Sequence, residues 1–225
     1  MSWTILILAI APALAVCGYI IHKDRFDKEP FWLLFVAFGF GVFSTFPAVV
    51  STLIGGQFFE ISENPVNTAI YAFLVVALSE EFAKFFFLRY ILFKRKEFNE
   101  PLDGIVYAVM VGMGFAAFEN IFYVADGGVN TALLRMFTAI PAHAVFAVMM
   151  GYHVGIAKFD TTHQQELLRK GLIYPILLHG AYDFFLMQKN IPFLSLLAFV
   201  GLWYAGKYVK TIVVEAHEHS RDRHA

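Results

Sequence analysis

The chain has 225 residues, of which 59% are hydrophobic and only 16% charged, with 26 Phe, and its mean hydropathy is +0.62. That is more apolar surface than one soluble core absorbs, so a membrane protein is expected. A formal net charge of -1 without a basic stripe excludes nucleic-acid binding as a reading, and the single Cys, Cys17, excludes an internal disulfide framework and a multi-thiolate metal site.

A helix needs about 20 apolar residues to cross the hydrocarbon core. Seven runs qualify: Ser2 to Ile21, Phe31 to Ile54, Asn67 to Phe93, Gly104 to Val124, Ala132 to Ile156, Gly171 to Met187 and Pro192 to Val214. The expected fold is therefore all-α, a polytopic transmembrane helical bundle of about seven spans. In the first run, Ala13-Leu14-Ala15 has the look of a cleavage site and Leu14-Ala15-Val16-Cys17 of a lipoprotein box. Met1-Ser2-Trp3 lacks a positive n-region and Val16 is bulkier than a lipobox needs, so the run is read as a retained span. The connections are too short for an extramembrane domain. Residues 1–216 read as a single multi-pass domain and 217–225 as a polar, solvated C-terminal tail.

Lys and Arg favour the cytoplasmic side of short connections. Lys23, Arg25 and Lys28 follow the first run; Arg89, Lys94, Arg95 and Lys96 end the third; Lys158, Arg169 and Lys170 follow the fifth; Lys207, Lys210, Arg221 and Arg223 close the chain. The alternate side holds only Arg135 and Lys189. This asymmetry predicts an outer N-terminus and a cytoplasmic C-terminus, and it supports an odd number of spans.

The third run carries Glu80, Glu81 and Lys84. Each costs about 2.5–3.5 kcal/mol in a membrane on insertion scales, so three together need a reason. At about 100° per residue Lys84 projects between the two carboxylates, about 40° from Glu80 and about 60° from Glu81. One ion pair and one spare carboxylate result, the asymmetry a general base needs. The fourth run holds Glu119 and Asn120 after small residues that allow close helix approach. In the fifth, Pro141 precedes His143 and is expected to free the carbonyl of Phe137 and bend the helix. In the sixth, Asp183 follows His179 by four residues, on the same face.

Taken singly, His143 reads equally well as a packing residue. His153 and His163 are expected at water or the interface, and Arg89 is close enough to an end to snorkel. Gly151-x-x-x-Gly155 reads as an internal packing stripe. Jointly, Glu80, Glu81, Lys84, Glu119, His143, His179 and Asp183 are too many costly groups for packing, which points to a shared site. Depth counting puts Glu80, Glu81 and His143 near the midplane and Glu119, His179 and Asp183 between midplane and outer leaflet.

No Gly-x-Ser-x-Gly elbow, His-Glu-x-x-His motif or Walker loop occurs, so serine hydrolase, ordinary zincin and ATPase readings lack support. A Glu beside a water could take its proton as it attacks a carbonyl, with His and Asp or Asn orienting the water and stabilising the oxyanion. The same side chains could hold Zn²⁺ with a water in the open position, or relay protons or metal ions through a transporter. A transporter is expected to show an internal repeat, and none is found between the halves.

The ordered pattern Glu80-Glu81-x-x-Lys84, Phe115-x-x-x-Glu119-Asn120, His143 and His179-Gly180-x-Tyr182-Asp183 resembles the PrsW family of bacterial intramembrane proteases. The run Asp24-Arg25-Phe26-Asp27-Lys28-Glu29-Pro30 and the run Leu102-Asp103-Gly104-Ile105-Val106-Tyr107 share the resemblance, which covers nearly the whole chain in order. That family is distantly similar to the prenyl-protein (CAAX) endopeptidases and bacteriocin-processing proteins, although Glu119 stands where those enzymes have His. The resemblance implies a bacterial inner-membrane endopeptidase that cuts a single-span membrane-anchored protein, in the best-known case an anti-sigma factor, on its extracytoplasmic side. It implies catalytic roles for Glu80, Glu81, Glu119, His143, His179 and Asp183, with Lys84 and Asn120 supporting. No cofactor is required by the glutamate reading; a divalent metal such as Zn²⁺ is the alternative.

Overall fold

The computed structural model describes residues 3–24, 27–59, 61–62, 64–188 and 191–224. Arg25 and Lys189, both counted in the charge asymmetry, lie outside them, as does Phe26 of the first-loop pattern. Every long element is helical: α1 (Trp3–Lys23), α2 (Phe31–Gly55), α3 (Pro65–Ile70), a π-helical segment (Tyr71–Ala77), α4 (Leu78–Tyr90), α5 (Pro101–Phe137), α6 (Ala139–Phe159), α7 (Gln164–Leu186) and α8 (Ser195–His224). No strand occurs among the described residues.

Local chemistry sets the helix starts. Asn64 accepts a hydrogen bond from the Val66 N–H at 2.9 Å, ahead of Pro65 in the first turn of α3. Glu100 and Asp103 form a reciprocal capping box around Pro101, which opens α5. α6 departs from expectation. The chain breaks at Thr138, so Ala132–Phe137 end α5 and Pro141 falls in the first turn of α6. A proline there costs no helical bond, because the first turn's N–H groups have no intrahelical acceptor. The bend before His143 is thus a break between helices rather than a kink within one.

α5 is the axis of the bundle. From Pro101 to Ala117 it is buried on every side, with α1, α2 and α6 as its main neighbours and α4 and α8 on its flanks. A helix apolar all round is the signature of such a central position. Close approach is made by glycine. A Cβ on Gly41 of α2 would lie 2.0 Å from the Val111 carbonyl oxygen, and one on Gly114 would lie 2.0 Å from that of Phe38. Gly104 meets Gly151 and Gly155 in the same way, so the Gly-x-x-x-Gly stripe packs internally. Gly128, at φ 68°, breaks the last turns of α5.

By length and composition, four helical stretches can cross a membrane: Trp3–Lys23, Phe31–Gly55, Pro101–Phe159 and Ser195–Arg221. The third has 59 residues and takes in both α5 and α6. Many large apolar side chains, among them Phe35, Leu53, Phe137 and Tyr204, face outward, as contact with lipid requires. The α3–α4 stretch, which the π-helical segment divides into pieces of 6, 7 and 13 residues, and α7, which carries Arg169, Lys170, His179 and Asp183, are not among these four stretches.

Two expectations change at the cytoplasmically assigned end. His153 is buried, its ring Nδ1 2.8 Å from the Met149 carbonyl oxygen, because α6 continues two turns past it and α7 folds over it. Residues 217–224 continue α8. Ser220 is buried there and its Oγ accepts the Leu102 N–H at 3.1 Å, which ties this segment to the start of α5 and satisfies a first-turn donor. His163 is exposed and pairs with Asp160 at 2.9 Å.

Candidate active site

The π-helical segment Tyr71–Ala77 lies immediately before Glu80 and Glu81. Its wider turn shifts the register of the helix that follows and packs beside α7, where Gly180 leaves room for the Phe73 ring. This brings the Glu80–Lys84 turn of α4 against the His179–Asp183 turn of α7.

Lys84 Nζ donates to Glu81 Oε1 at 2.8 Å and lies 3.5 Å from Glu80 Oε2. It is also 3.3 Å from His143 Nδ1 and 3.9 Å from the centre of the Phe115 ring. His179 Nδ1 is 2.8 Å from Glu81 Oε1, and its Nε2 is 3.3 Å from Asp183 Oδ2 and 4.0 Å from Glu80 Oε2. His143 Nε2 is 3.2 Å from Glu119 Oε2. Phe146 stacks on the His179 ring at 4.9 Å between centres. Glu80, Glu81, Lys84, Asn120, His143 and His179 are buried, while Glu119 and Asp183 are half-buried.

A cavity of about 640 Å³ opens at this cluster. Glu80, Glu119, His143, His179 and Asp183 line it; Glu81 and Lys84 stand behind its wall. The two adjacent glutamates are therefore not equivalent: Glu81 is taken up by Lys84 and His179, and Glu80 faces open space. All eight residues singled out in the sequence belong to this neighbourhood, with Asn120 at its edge, its amide donating to the Ala9 carbonyl at 2.8 Å.

Arg135 belongs to it too, although in the sequence it stands out only as a charge on the sparse side. Its guanidinium donates to Glu119 Oε2 and to Asn120 Oδ1, each at 2.6 Å, and packs over the Tyr123 ring. One signal was available: Arg135 falls inside an apolar run with no acidic residue nearby in sequence.

Glu80, Glu81, His143 and His179 each offer one ligand atom within 4.8 Å of the others. Two imidazoles and two carboxylates suit Zn²⁺, and Glu81 Oε2 is buried without a hydrogen-bond partner, so the donor set fits such an ion.

A second buried polar cluster joins the two other runs that carried the family resemblance. The Tyr107 O–H donates to Glu29, the Glu29 N–H donates to Asp24 Oδ2 at 3.1 Å, and Asp103 Oδ2 accepts the Asn99 and Glu100 N–H groups. Burial pushes the Glu29 carboxyl up to about 7 and raises that of Asp24 as well.

A family profile described as PrsW family intramembrane metalloprotease matches residues 29–206. The chain is 37% identical over 198 residues to Protease PrsW of Geobacillus kaustophilus, covering 87% of this chain and 86% of that protein. It is 36% identical to the Oceanobacillus iheyensis protein of the same name, over 89% and 94% of the two chains, and 33% identical to that of Bacillus subtilis, over 91% and 93%. No solved structure matches. Similarity over this much of the chain, in a helical membrane protein with buried carboxylates and imidazoles around one cavity, establishes that the chain belongs to the PrsW family of intramembrane proteases.

Proposed function

We propose that the protein is an endopeptidase that cuts a single-span membrane protein, using a water activated by Glu80. The observation that carries this reading is the division between the two glutamates: Glu80 lines the cavity, and Glu81 is held behind it by Lys84 and His179. A base must reach the water whose proton it takes, and of the pair only Glu80 has that access.

The water oxygen attacks the peptide carbonyl carbon as Glu80 accepts the water proton. The tetrahedral oxyanion draws on the Nε2–H groups of His143 and His179, which the resting site directs at Glu119 and Asp183 and which turn toward the developing charge, within a site shielded from bulk water. Asp183 and Glu81 fix the His179 ring from its two nitrogens, and Glu119 fixes His143. Collapse breaks the C–N bond, and the proton held by Glu80 passes to the leaving amine.

A metal-assisted version is the second reading, favoured by the compact donor set of Glu80, Glu81, His143 and His179. When bound, the ion would act as a Lewis acid and lower the pKa of a coordinated water. The roles of Glu119, Asp183 and Lys84 as holders of the imidazoles and of Glu81 stay the same.

The cavity lies toward the end of the bundle where α2 and α7 finish, lined there by Thr52, Leu53, Leu186 and Met187, and charge counting assigns that end to the outside of the cell under seven spans with an outer N-terminus. Cleavage is accordingly assigned to the extracytoplasmic side of a bacterial inner membrane, and an anti-sigma factor is the substrate to test first. The test compares membrane-protein fragments in cells carrying wild type or Glu80→Gln, with and without envelope stress. A truncated single-span protein found only with the wild type is expected. Identical fragments under both conditions, with ion flux through the purified protein in proteoliposomes, would overturn the reading in favour of transport.

A further inference from the structure

Away from the candidate active site, α1, α5, α6 and α8 leave a groove of about 780 Å³ between them. Its walls are apolar: Val16 and Ile20 from α1, Val145 and Val148 from α6, Val209 and Val213 from α8. Its cations are Lys23 at the last turn of α1, Lys210 midway along α8, and Arg221 near the end of α8, against a single carboxylate, Glu218. Among the described residues neither Lys23 nor Lys210 has a carboxylate within ion-pairing distance. Lys23 Nζ lies over the Tyr19 ring, 5.5 Å from its centre.

A lysine ammonium that edges an apolar groove near the membrane surface, with no carboxylate beside it, attracts an anion. The groove's dimensions suit an amphiphile that supplies one. From Gly206 to Arg221, both of which line it, α8 rises about 22 Å at 1.5 Å per residue. That length accommodates an acyl chain alongside α8.

We propose that this groove is a binding site for one anionic phospholipid, its acyl chain along the valine walls and its phosphate drawn to Lys23 and Lys210. Basic pockets between membrane helices recognise anionic head groups through this combination of charge and enclosure. The apolar walls select a lipid over a free phosphate, because a free anion leaves them uncovered. The site is separate from the cavity lined by Glu80 and does not rest on the peptidase reading.

Wild-type protein reconstituted in vesicles of equal phosphatidylglycerol and phosphatidylcholine, then extracted in mild detergent, should retain phosphatidylglycerol in excess by on the order of tenfold, which co-purifying lipid measured by mass spectrometry reads. Lys23→Gln with Lys210→Gln should bring the ratio back to that of the vesicles. A Cβ on Gly206 meets nothing within 4 Å, so Gly206→Leu can fill the groove without disturbing the fold and should lower retention of both lipids. Millimolar inorganic phosphate should leave the retained lipid in place. Wild type carrying the vesicle ratio, a double variant that keeps the preference, unchanged retention in Gly206→Leu, or displacement by phosphate would each overturn the proposal. Thermal unfolding of each variant provides the check on folding.

Discussion

His179 Nδ1 lies 2.8 Å from Glu81 Oε1, across a separation of 98 positions in the chain. Since Lys84 Nζ reaches the same oxygen, Glu81 joins α4 to α7 through one atom shared by two donors. This contact fixes the two helices that frame the cavity, and it leaves Glu80 as the glutamate turned into it.

The two glutamates should therefore fail differently when substituted. Glu80→Gln keeps its shape and loses its proton acceptor, so cleavage should fall on the order of 100-fold or more with little change in thermal stability. Glu81→Gln breaks a buried ion pair and leaves Lys84 poorly compensated, which should cost about 3–5 kcal/mol. Fragment yield and thermal unfolding of the same preparations separate the two. Equal destabilisation in both would contradict the division of roles.

Arg135 holds Glu119 and Asn120 together and so acts on His143 through Glu119. Arg135→Gln should lower the cleavage rate on the order of tenfold by loosening that geometry, with Arg135→Lys recovering part of it because one charged contact survives. Cleavage kinetics on the fragment-yielding substrate should show the loss in kcat. A change confined to KM would mean that Arg135 contacts substrate instead.

The donor set makes a metal prediction as well. If an ion is held, purified wild type should contain close to one equivalent of Zn²⁺, His143→Ala and His179→Ala should each lose it, and a chelator should stop cleavage reversibly. Full cleavage in metal-free, chelator-treated protein would leave the glutamate mechanism alone.

Glu29 predicts a pH dependence of stability outside the candidate active site. Its carboxyl sits at about 7 in the folded protein against an ordinary value of 4.5, so between those values the folded state binds more protons than the unfolded one. Stability is then fully present below about 4.5 and falls as pH rises toward about 7, with Asp24 adding to the slope in the same direction. Glu29→Gln should flatten that decline, which thermal denaturation in detergent at pH 5 and pH 8 will show. An unchanged slope would assign the dependence to other groups.

Gly41 and Gly114 mark where α2 and α5 touch backbone to backbone. Gly41→Ala should cost about 1–3 kcal/mol through overpacking, whereas Gly206→Ala, whose added Cβ meets open space, should be neutral or slightly stabilising. Thermal unfolding of the two variants side by side is the measurement.

The sequence alone determined that the chain is a helical membrane protein, because runs of about 20 apolar residues have few other ways to satisfy their backbone groups. It also determined the family, through residues kept in order, and picked out Glu80, Glu81, Lys84, Glu119, Asn120, His143, His179 and Asp183, because charge in an apolar run is costly enough to stand out. What it could express was restricted to short range: Lys84 beside Glu80 and Glu81, Asp183 one turn after His179. Only the tertiary structure decided which glutamate faces the cavity, since that depends on the π-helical turn and on α7 arriving beside α4. Arg135 shows the same limit. Its partner Glu119 is 16 positions away, and the two meet because the chain turns back after Gly128, a contact that no local period encodes. The break at Thr138 and the burial of His153 and Ser220 follow from packing around α5, and packing between distant segments is what local pattern leaves unspecified.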